Sequence, residues 1–349
     1  KLFLAYLRQI NLMKILIIGP SWVGDTVMAQ TLYKRLKEES SDCKIDVISP
    51  EWSSVLMQRM PEVSRTINSP YLHGDLKLFS RRHFGKNLRR YNYDRSIVLT
   101  NSLKSSLIPF FARIPIRTGW LGEMRYGLLN DIRYLDKSKN HLMVEKFAAL
   151  SMQDSNYSIE SLSLPKLRID FENQKSTLTK LGIDQNLPCL AICPGAEFGP
   201  SKKWPEQNYA ILAKHYIKKG WNVLCFGSSN DHETGKKISN FDNLEEEENF
   251  YNLIGRTSLV DAVDLLSFCK KVVSNDSGLM HIAAAVGIPL VAVYGPSSPE
   301  YTPPLIDKKV IIRKMEGYRK IREGNLPDGY DASLLSIEPE EVMEALEAL

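Results

Sequence analysis

The chain has 349 residues, a length that suits two domains of ordinary size better than one. Apolar residues make up 43% and charged residues 25%, which is the composition of a soluble globular protein. The formal net charge of +4 is far below that of a dedicated nucleic-acid binder, and it fits an anionic small substrate or loose contact with an anionic membrane surface.

Residues 1–12 precede Met13, which opens the first predicted strand. They are too short for a secretory signal and lack its cleavage pattern, so we expect an upstream extension outside the fold. An interfacial amphipathic segment is the alternative. The five cysteines are scattered, several inside apolar runs, which predicts buried reduced thiols. With no stretch able to span a bilayer, we expect a cytoplasmic protein.

Strands and helices alternate through the first predicted domain, residues 13–165. "KILIIG" predicts a buried strand and "DTVMAQTLYKRLKEE" the helix after it. The next strand and helix are "KIDVISP" and "EWSSVLMQRM". "YDRSIVLTN" and "IRTGW" are further strands, with the helix "SLKSSLIPFFARI" between them, and "EKFAALSMQD" predicts a last helix. This alternation is typical of an α/β domain with a parallel sheet covered on both faces.

The pattern loosens over residues 166–188, which we interpret as a linker, and restarts in a second domain, residues 189–338. Its predicted strands are "CLAICPG", "WNVLCFGS", "KKVVSND" and "PLVAVYGP", with helices between them. Residues 339–349 predict a short helix that either caps the second domain or crosses back onto the first. Two doubly wound domains in tandem leave a ligand cleft between the carboxyl ends of their sheets.

The stretch "GPSWVGDT", residues 19–26, has the spacing of a phosphate-binding P-loop, but Asp25 stands where lysine is needed. An acid there would repel phosphate. Asp25 is therefore either an ordinary helix start, stabilised by the helix dipole by about 0.3–1 kcal/mol, or a carboxylate placed for other chemistry beside Trp22.

Two further loops of the first domain, "TNSLKSS" and "RTGWLGEMRYG", are rich in basic and hydroxyl side chains. Loops of this composition suit the binding of a phosphorylated or sugar acceptor. Their cations are equally explained as ordinary surface charge. The candidate residues in these loops are Asn101, Ser102, Lys104, Arg117, Thr118, Glu123 and Arg125.

The segment "NDSGLMH" is the most informative of the second domain. Asp276, Ser277 and Gly278 open an alanine-rich helix whose free N–H groups and dipole suit a diphosphate. His281 lies one turn further and is within reach of the same ligand. The simpler interpretation is an ordinary helix cap with a buried histidine, but the rigid loop "VYGPSSP" at the same sheet edge favours a site.

Two other loops follow predicted strands of this domain. "PGAEFGPSKKWPE" contains Lys202 and Lys203, which are either surface lysines or cations that neutralise a departing diphosphate. "FGSSNDHETG" contains Asp231 and Glu233, either of which is suited to bind ribose hydroxyls, as acids after a strand do in nucleotide folds.

Five stretches of the chain, taken together, resemble the ADP-heptose:lipopolysaccharide heptosyltransferases of Gram-negative bacteria, in particular the heptosyltransferase II branch. These stretches are "KILIIGPSWVGDTVMAQTLYK", "MPEV", "RTGWLGEMRYGLLND", "PGAEFGPSKKWP" and "NDSGLMHIAAAVGIPLVAVYGPSSP". The resemblance covers Met13 to the C-terminal helix. It implies a GT-B enzyme with two Rossmann-like domains that transfers heptose from ADP-heptose to the first heptose of the lipopolysaccharide inner core, with inversion. It further implies an acceptor of the Hep-Kdo2-lipid A type, peripheral contact with the cytoplasmic face of the inner membrane, no nucleic acid, and no metal or other cofactor.

The resemblance also implies roles for single residues. Asp25 matches the proposed general base, and Lys202 matches the lysine on the phosphate side of the donor. The donor motif D-[TS]-G-x-x-H matches Asp276, Ser277, Gly278 and His281, with serine in place of the commoner threonine. The ribose-binding acid stays open between Asp231 and Glu233. The alternatives are another GT-B sugar transferase, a nucleotide-sugar epimerase, or a non-catalytic nucleotide-sugar-binding protein. No G-x-G-x-x-G fingerprint follows a strand, which disfavours an oxidoreductase.

Overall fold

A computed structural model describes residues 12–71, 74–136, 138, 140–152 and 158–349. Residues 1–11 of the expected extension lie outside this range. The chain divides after Leu164 into two compact units, one residue away from the predicted end of the first domain. Among the described helices, none is both long enough and apolar enough to cross a membrane.

The described part of the first unit contains six strands in one parallel sheet of order β3-β2-β1-β4-β5-β6. The strands are β1 (Lys14–Ile18), β2 (Lys44–Ser49), β3 (Val63–Asn68), β4 (Arg95–Val98), β5 (Ile116–Trp120) and β6 (Asp131–Arg133). The order reverses between β1 and β4, which makes this pair the switch point of a doubly wound sheet.

Five described helices pack on this sheet. They are α1 (Val23–Glu39), α2 (Glu51–Ser54), α3 (Leu78–Leu88), α4 (Leu103–Phe111) and α5 (Met143–Ala148). Three short 3-10 segments complete the unit: Val55–Arg59, Arg89–Tyr91 and Ile159–Ser161. The predicted helix "EWSSVLMQRM" is thus a single α turn continued as a 3-10 helix, and α3 was not predicted.

The second unit repeats the topology of the first. Its described strands are β7 (Cys189–Cys193), β8 (Asn222–Cys225), β9 (Phe250–Asn252), β10 (Lys271–Asn275), β11 (Leu290–Tyr294) and β12 (Lys309–Arg313). They are parallel and lie in the order β12-β11-β10-β7-β8-β9, with the switch point between β7 and β10. The expected fold class, two Rossmann-like doubly wound α/β domains, is confirmed.

Seven described helices belong to the second unit. They are α6 (Phe171–Leu181), α7 (Glu206–Lys218), α8 (His232–Asn240), α9 (Leu259–Phe268), α10 (Gly278–Ala285), α11 (Ala332–Leu335) and α12 (Pro339–Ala348). Short 3-10 segments occur at Pro200–Lys202, Ser229–Asp231 and Phe241–Glu246.

Residues 166–188, predicted as a linker, are an integral part of the second unit. They contain α6, and the Asn173 side-chain amide at its first turn donates to Asp264 of α9 at 2.8 Å. The backbone N–H of Leu167 donates to the carbonyl of Ala285 at 3.0 Å. The linker interpretation is wrong because Leu178 is the one buried residue of α6, so the helix has little apolar signal, and its polar contacts with α9 join residues 90 or more positions apart.

Helix α12 caps the second unit, the first of the two alternatives considered for residues 339–349. Val342 and Leu346 are fully buried in one core cluster with Trp204 and Tyr209 of that unit. All five cysteines of the chain are buried with free thiols, as predicted. Burial raises the pKa of the Cys193 thiol.

Candidate active site

The switch point of the second sheet brings two loops together. One loop follows β7 and contains Lys202, and the other follows β10 and leads into α10. Because β7 and β10 are hydrogen-bonded neighbours, both loops leave the carboxyl edge of the sheet side by side. In doubly wound folds, ligands bind in the crevice at this place.

The side chain of Asn275, the last residue of β10, joins these loops and is fully buried. Its Oδ1 accepts hydrogen bonds from the Trp204 backbone N–H at 3.1 Å and the Tyr209 hydroxyl at 2.9 Å. Its Nδ2 donates to the carbonyl of Pro194 at 2.7 Å. All these groups are buried, so loss of the amide would leave them unsatisfied. Asn275 therefore fixes the shape of the loop that carries Lys202.

Lys202 forms an ion pair with Asp276. The Lys202 Nζ donates to Asp276 Oδ2 at 2.5 Å, and the Asp276 side chain is 6% exposed against 21% for Lys202. His281 lies beside the pair and is 5% exposed. Burial lowers its pKa to about 4, with Lys202 acting in the same direction and Asp276 opposing it. The histidine is therefore neutral at pH 7, and the charges of the pair cancel.

Helix α10 begins directly after this pair. Ser277 is its N-cap residue, but its side chain makes no capping hydrogen bond and lies 3.3 Å from the hydroxyl of Ser274. Ser277 and Gly278 are half-buried. The first N–H groups of α10 have no intrahelical partner, which makes this helix start a site for phosphate oxygens.

Asp231 and Glu233 have different environments. Asp231 is 7% exposed, and its carboxylate accepts from the Ser228 backbone N–H at 3.0 Å and the Ser228 hydroxyl at 2.9 Å. Lys203 lies 3.7 Å from the same carboxylate. Glu233 is exposed on the first turn of α8. Asp231 thus shapes its loop, while Glu233 presents a carboxylate to solvent.

Arg322 is a further cation at this edge of the sheet, and it was not predicted from the sequence. The Arg322 guanidinium lies 5.6 Å from the centre of the Phe198 ring, and Lys202 Nζ lies 5.2 Å from the same ring. The backbone carbonyl of Arg322 accepts from the Ser201 N–H at 3.2 Å, and a Cβ at Gly199 would lie 2.3 Å from that oxygen. This close approach holds Arg322 beside the Lys202 loop. No local motif marks the residue, because 120 residues separate the two segments.

The switch point of the first sheet positions Asp25. The Gly19–Asp25 loop follows β1, and Asp25 is half-buried in the first turn of α1, with Trp22 as the 42% exposed N-cap residue. The Trp52 indole N–H donates to the carbonyl of Ser21 at 3.1 Å and holds the loop. The loop after the neighbouring strand β4 carries exposed Asn101, and half-buried Lys104 follows in the first turn of α4.

Arg125 organises that second loop from inside. It is 1% exposed, and its guanidinium donates to the Thr100 carbonyl at 2.9 Å and to Asn101 Oδ1 at 2.7 Å, as well as to Trp120, Gly122 and Ser106. Burial lowers its pKa. Glu123 in the same turn accepts from the Leu103 N–H at 2.6 Å and caps α4.

Arg117 and Thr118 also serve the framework. Thr118 is fully buried in β5, where its hydroxyl donates to Asp131 at 2.8 Å and accepts from Arg95 at 3.1 Å. The Arg117 guanidinium donates to the carbonyls of Leu128 at 2.6 Å and Ile114 at 2.7 Å. The donors of these side chains and of Arg125 have partners in the protein, so all three residues support the framework, and their contact with an acceptor stays a prediction.

Within the residues that the structure describes, no group of three histidine, cysteine, aspartate or glutamate side chains is arranged to hold a metal ion. The cations and the helix start lie at the second switch point, and the carboxylate of Asp25 lies at the first. Two parallel six-stranded sheets of this order in tandem are the architecture of the GT-B glycosyltransferases.

The comparisons with known proteins agree with this class. The chain belongs to glycosyltransferase family 9 (heptosyltransferase), whose family model matches residues 81–329. It is 49% identical over 342 residues to lipopolysaccharide heptosyltransferase 2 of Escherichia coli K12, covering 97% of this chain and 98% of that protein. It is 48% identical over 345 residues to lipooligosaccharide heptosyltransferase 2 of Haemophilus influenzae, with coverage of 97% and 99%.

A solved structure, that of E. coli ADP-heptose lps heptosyltransferase II, is also similar. It superposes with a TM-score of 0.87 at 46% identity, and the match covers 96% of this chain and 98% of that one.

Proposed function

We propose that the protein transfers L-glycero-D-manno-heptose from ADP-heptose to the first heptose of the lipopolysaccharide inner core, with inversion at the anomeric carbon. The observation that carries the proposal is the buried Lys202–Asp276 pair with neutral His281 at the start of α10. The near full-length similarity to proteins named lipopolysaccharide heptosyltransferase 2 supports the sugar and the acceptor.

The donor is held by its diphosphate at the start of α10. Because Asp276 cancels the charge of Lys202 in the free protein, the helix start and Arg322 supply the remaining positive potential. Asp276 orients the lysine amine, and the buried, neutral His281 lies near both members of the pair. Exposed Glu233 is the better of the two acids for binding the ribose, since the carboxylate of Asp231 already has partners.

The chemical step is a single displacement. Asp25 takes the proton from the acceptor hydroxyl, and the hydroxyl oxygen forms a bond to the anomeric carbon on the face opposite ADP. The bond between that carbon and the diphosphate oxygen breaks, and ADP leaves with the electron pair. Lys202, Arg322 and the N–H groups of α10 stabilise the charge that grows on the diphosphate.

The acceptor residues are on the first unit. Trp22 offers an exposed apolar ring next to Asp25, and Asn101 and Lys104 offer polar groups on the adjacent loop. Arg125 positions Asn101 through a hydrogen bond. The acceptor is of the Hep-Kdo2-lipid A type and carries lipid chains. The protein therefore works in the cytoplasm of a Gram-negative bacterium, at the inner face of the cytoplasmic membrane.

The decisive experiment incubates the purified protein with ADP-heptose and a truncated core acceptor that carries one heptose, and measures ADP release. We expect release that depends on the acceptor and a product with a second heptose. An altered sugar without ADP release would identify an epimerase, and binding without turnover would identify a non-catalytic protein. Transfer to a different sugar acceptor would identify another GT-B transferase.

A further inference from the structure

Helix α3 has two different faces. Its inner face packs on α4, where a Cβ at Gly85 would lie 2.7 Å from the carbonyl of Ile108 and 2.8 Å from the Phe111 Cβ. The outer face carries Phe79, Arg82 and Lys86, followed by Arg90 in the next 3-10 turn. All four are exposed and recur at helical spacing, so they form one line along the flank of the unit. We call these four residues the basic stripe.

This region carries an excess of positive charge. Residues 76–93 contain six lysines and arginines and no acid, so removing them would change the chain's formal net charge from +4 to −2. Asp75, just outside, pairs with Lys77 at 2.7 Å. Residues 103–119, which include α4, add three cations and again no acid. Positive charge is therefore concentrated on this flank, whereas the remainder of the chain has a formal net charge of −5.

Large apolar side chains are exposed at the same place. Phe79 is 84% exposed, Leu76 is 55% exposed and Leu78 is 44% exposed at the start of α3. Neighbouring exposed apolar side chains of this size mark interaction sites in soluble proteins. Transfer of the Phe79 ring out of water is favourable only into an apolar medium, and that medium must lie next to the groups that bind the neighbouring cations.

An open cavity of about 440 Å³ lies beside the far end of this helix. Arg89, Arg113 and Arg117 border it, and Phe110 and Ile114 form part of its apolar wall. Arg89 donates through Nε and Nη2 to the carbonyl of Phe111, at 3.0 and 2.9 Å, which fixes the guanidinium without neutralising it. The cavity thus combines cations with an apolar wall, which is the chemistry of a lipid headgroup and its acyl chains.

We propose that the basic stripe docks the protein on an anionic phospholipid bilayer. Phe79, with Leu76 and Leu78, enters the boundary between headgroups and acyl chains, and the cations of the stripe bind lipid phosphates. The inference rests on the proposed function, which gives the enzyme a lipid acceptor. A bilayer is favoured over a nucleic acid because apolar side chains stand next to the cations.

The first test measures binding of the full-length protein to vesicles by flotation. We expect binding to phosphatidylcholine with about one third phosphatidylglycerol, little binding to phosphatidylcholine alone, and weakening as added salt screens the charges. The double variant Arg82→Glu/Lys86→Glu should bind the anionic vesicles at least about tenfold more weakly. Phe79→Ser, which keeps the charge, should lose about tenfold.

A matched control reverses two exposed lysines of the second unit, Lys175→Glu/Lys236→Glu, and changes the net charge by the same amount. It should bind vesicles as the unmodified protein does. Equal weakening of the control would show a non-specific charge effect, and unchanged binding of the stripe variant would also overturn the proposal. Circular dichroism and thermal unfolding establish that each variant is folded.

The second test separates the bilayer from the acceptor. With a water-soluble, deacylated acceptor, ADP release by the stripe variant should equal that of the unmodified protein, whereas with the acylated acceptor in vesicles it should fall about tenfold. An equal loss with the soluble acceptor would assign the stripe to the acceptor itself. Duplex DNA bound as tightly as vesicles, and lost in the same variant, would identify a nucleic-acid surface. A protein that binds vesicles but never releases ADP would refute the proposed function and leave the docking surface standing.

Discussion

The side chains of Asp276 and His281 at the switch point of the second unit are buried, whereas those of Trp22 and Asp25 at the switch point of the first unit are partly exposed. Asp276 and His281 are 7% and 5% exposed, and their positions are set by Lys202 and by the hydrogen bonds of Asn275. In the first unit Trp22 is 42% exposed and Asp25 is half-buried.

The proposed ligands account for this contrast. A diphosphate is small and carries a fixed charge, so a rigid, dehydrated set of partners stabilises it without reorganisation. A lipid-linked oligosaccharide is large, so its site must stay accessible. The carboxylate of Asp25 must still contact one hydroxyl group of that acceptor. The two units share a strand order and differ in how deeply the side chains at the switch point are buried.

The largest expected effect is on Asp25. Asp25→Asn removes the base but keeps the shape of the side chain, so the turnover rate should fall about 10³-fold. Calorimetry should give an unchanged ADP affinity, because the residues proposed to bind the nucleotide are on the other unit. Asp42→Asn, at an exposed site of the same unit, serves as the control. Lost ADP binding would instead make Asp25 a donor or structural residue.

Arg125→Met should lower the free energy of unfolding by about 3 kcal/mol, since several carbonyls lose a buried donor. The loop that carries Asn101 would loosen, so KM for the acceptor should rise while the ADP affinity stays the same. Urea unfolding and steady-state kinetics measure both. Arg82→Met, at an exposed position, should change neither quantity for a soluble acceptor. A stable variant with normal KM would contradict the organising role.

Lys202→Ala should reduce kcat/KM by about 100-fold and weaken ADP binding, because the phosphate cation is lost and Asp276 is left as a buried unpaired charge. Lys202→Ala/Asp276→Asn should recover part of the ADP affinity. Calorimetry and initial rates provide the readouts, with Lys236→Ala on α8 as control. Unchanged kinetics would show that Lys202 is an ordinary surface lysine without a role in the reaction.

Arg322→Ala should weaken ADP binding by about tenfold, the loss expected of one solvent-accessible cation near a diphosphate. Lys320→Ala removes an equal charge from an exposed position two residues away and should have a smaller effect. Equal effects of both variants would show that Arg322 acts only through its contribution to the overall positive charge.

The smallest effect concerns pH and His281. Its pKa is about 4 in the folded protein, below the ordinary value of 6.5, so the unfolded chain binds more protons between these values. The free energy of unfolding should therefore fall as pH drops below 6.5, by about 1 kcal/mol from pH 7 to pH 5.5. In urea unfolding, the free energy of unfolding of His281→Gln should not show this decrease. An identical pH dependence in both proteins would contradict the conclusion that burial lowers the pKa of His281.

The central strands of both sheets could be predicted from the sequence, and the edge strands could not. "KILII" of β1 and "LVAVY" of β11 are buried on both faces of a parallel sheet, so they are continuous apolar runs. The strands that were missed, β3, β6, β9 and β12, are the outermost strands of the two sheets. Their residues are mostly half-buried or exposed, and "VSRTIN" or "DIR" has no apolar pattern to detect.

The same distinction holds for the site. Asp25, Lys202 and the motif from Asp276 to His281 lie next to central strands, in short stretches that mark them as candidates, and the resemblance to the heptosyltransferases supplied their expected roles. Arg125, Arg322 and Asn275 could not be assigned in this way. Whether an arginine is buried on carbonyls or faces a ligand depends on partners many residues away, and those distances follow only from the order in which the strands pair.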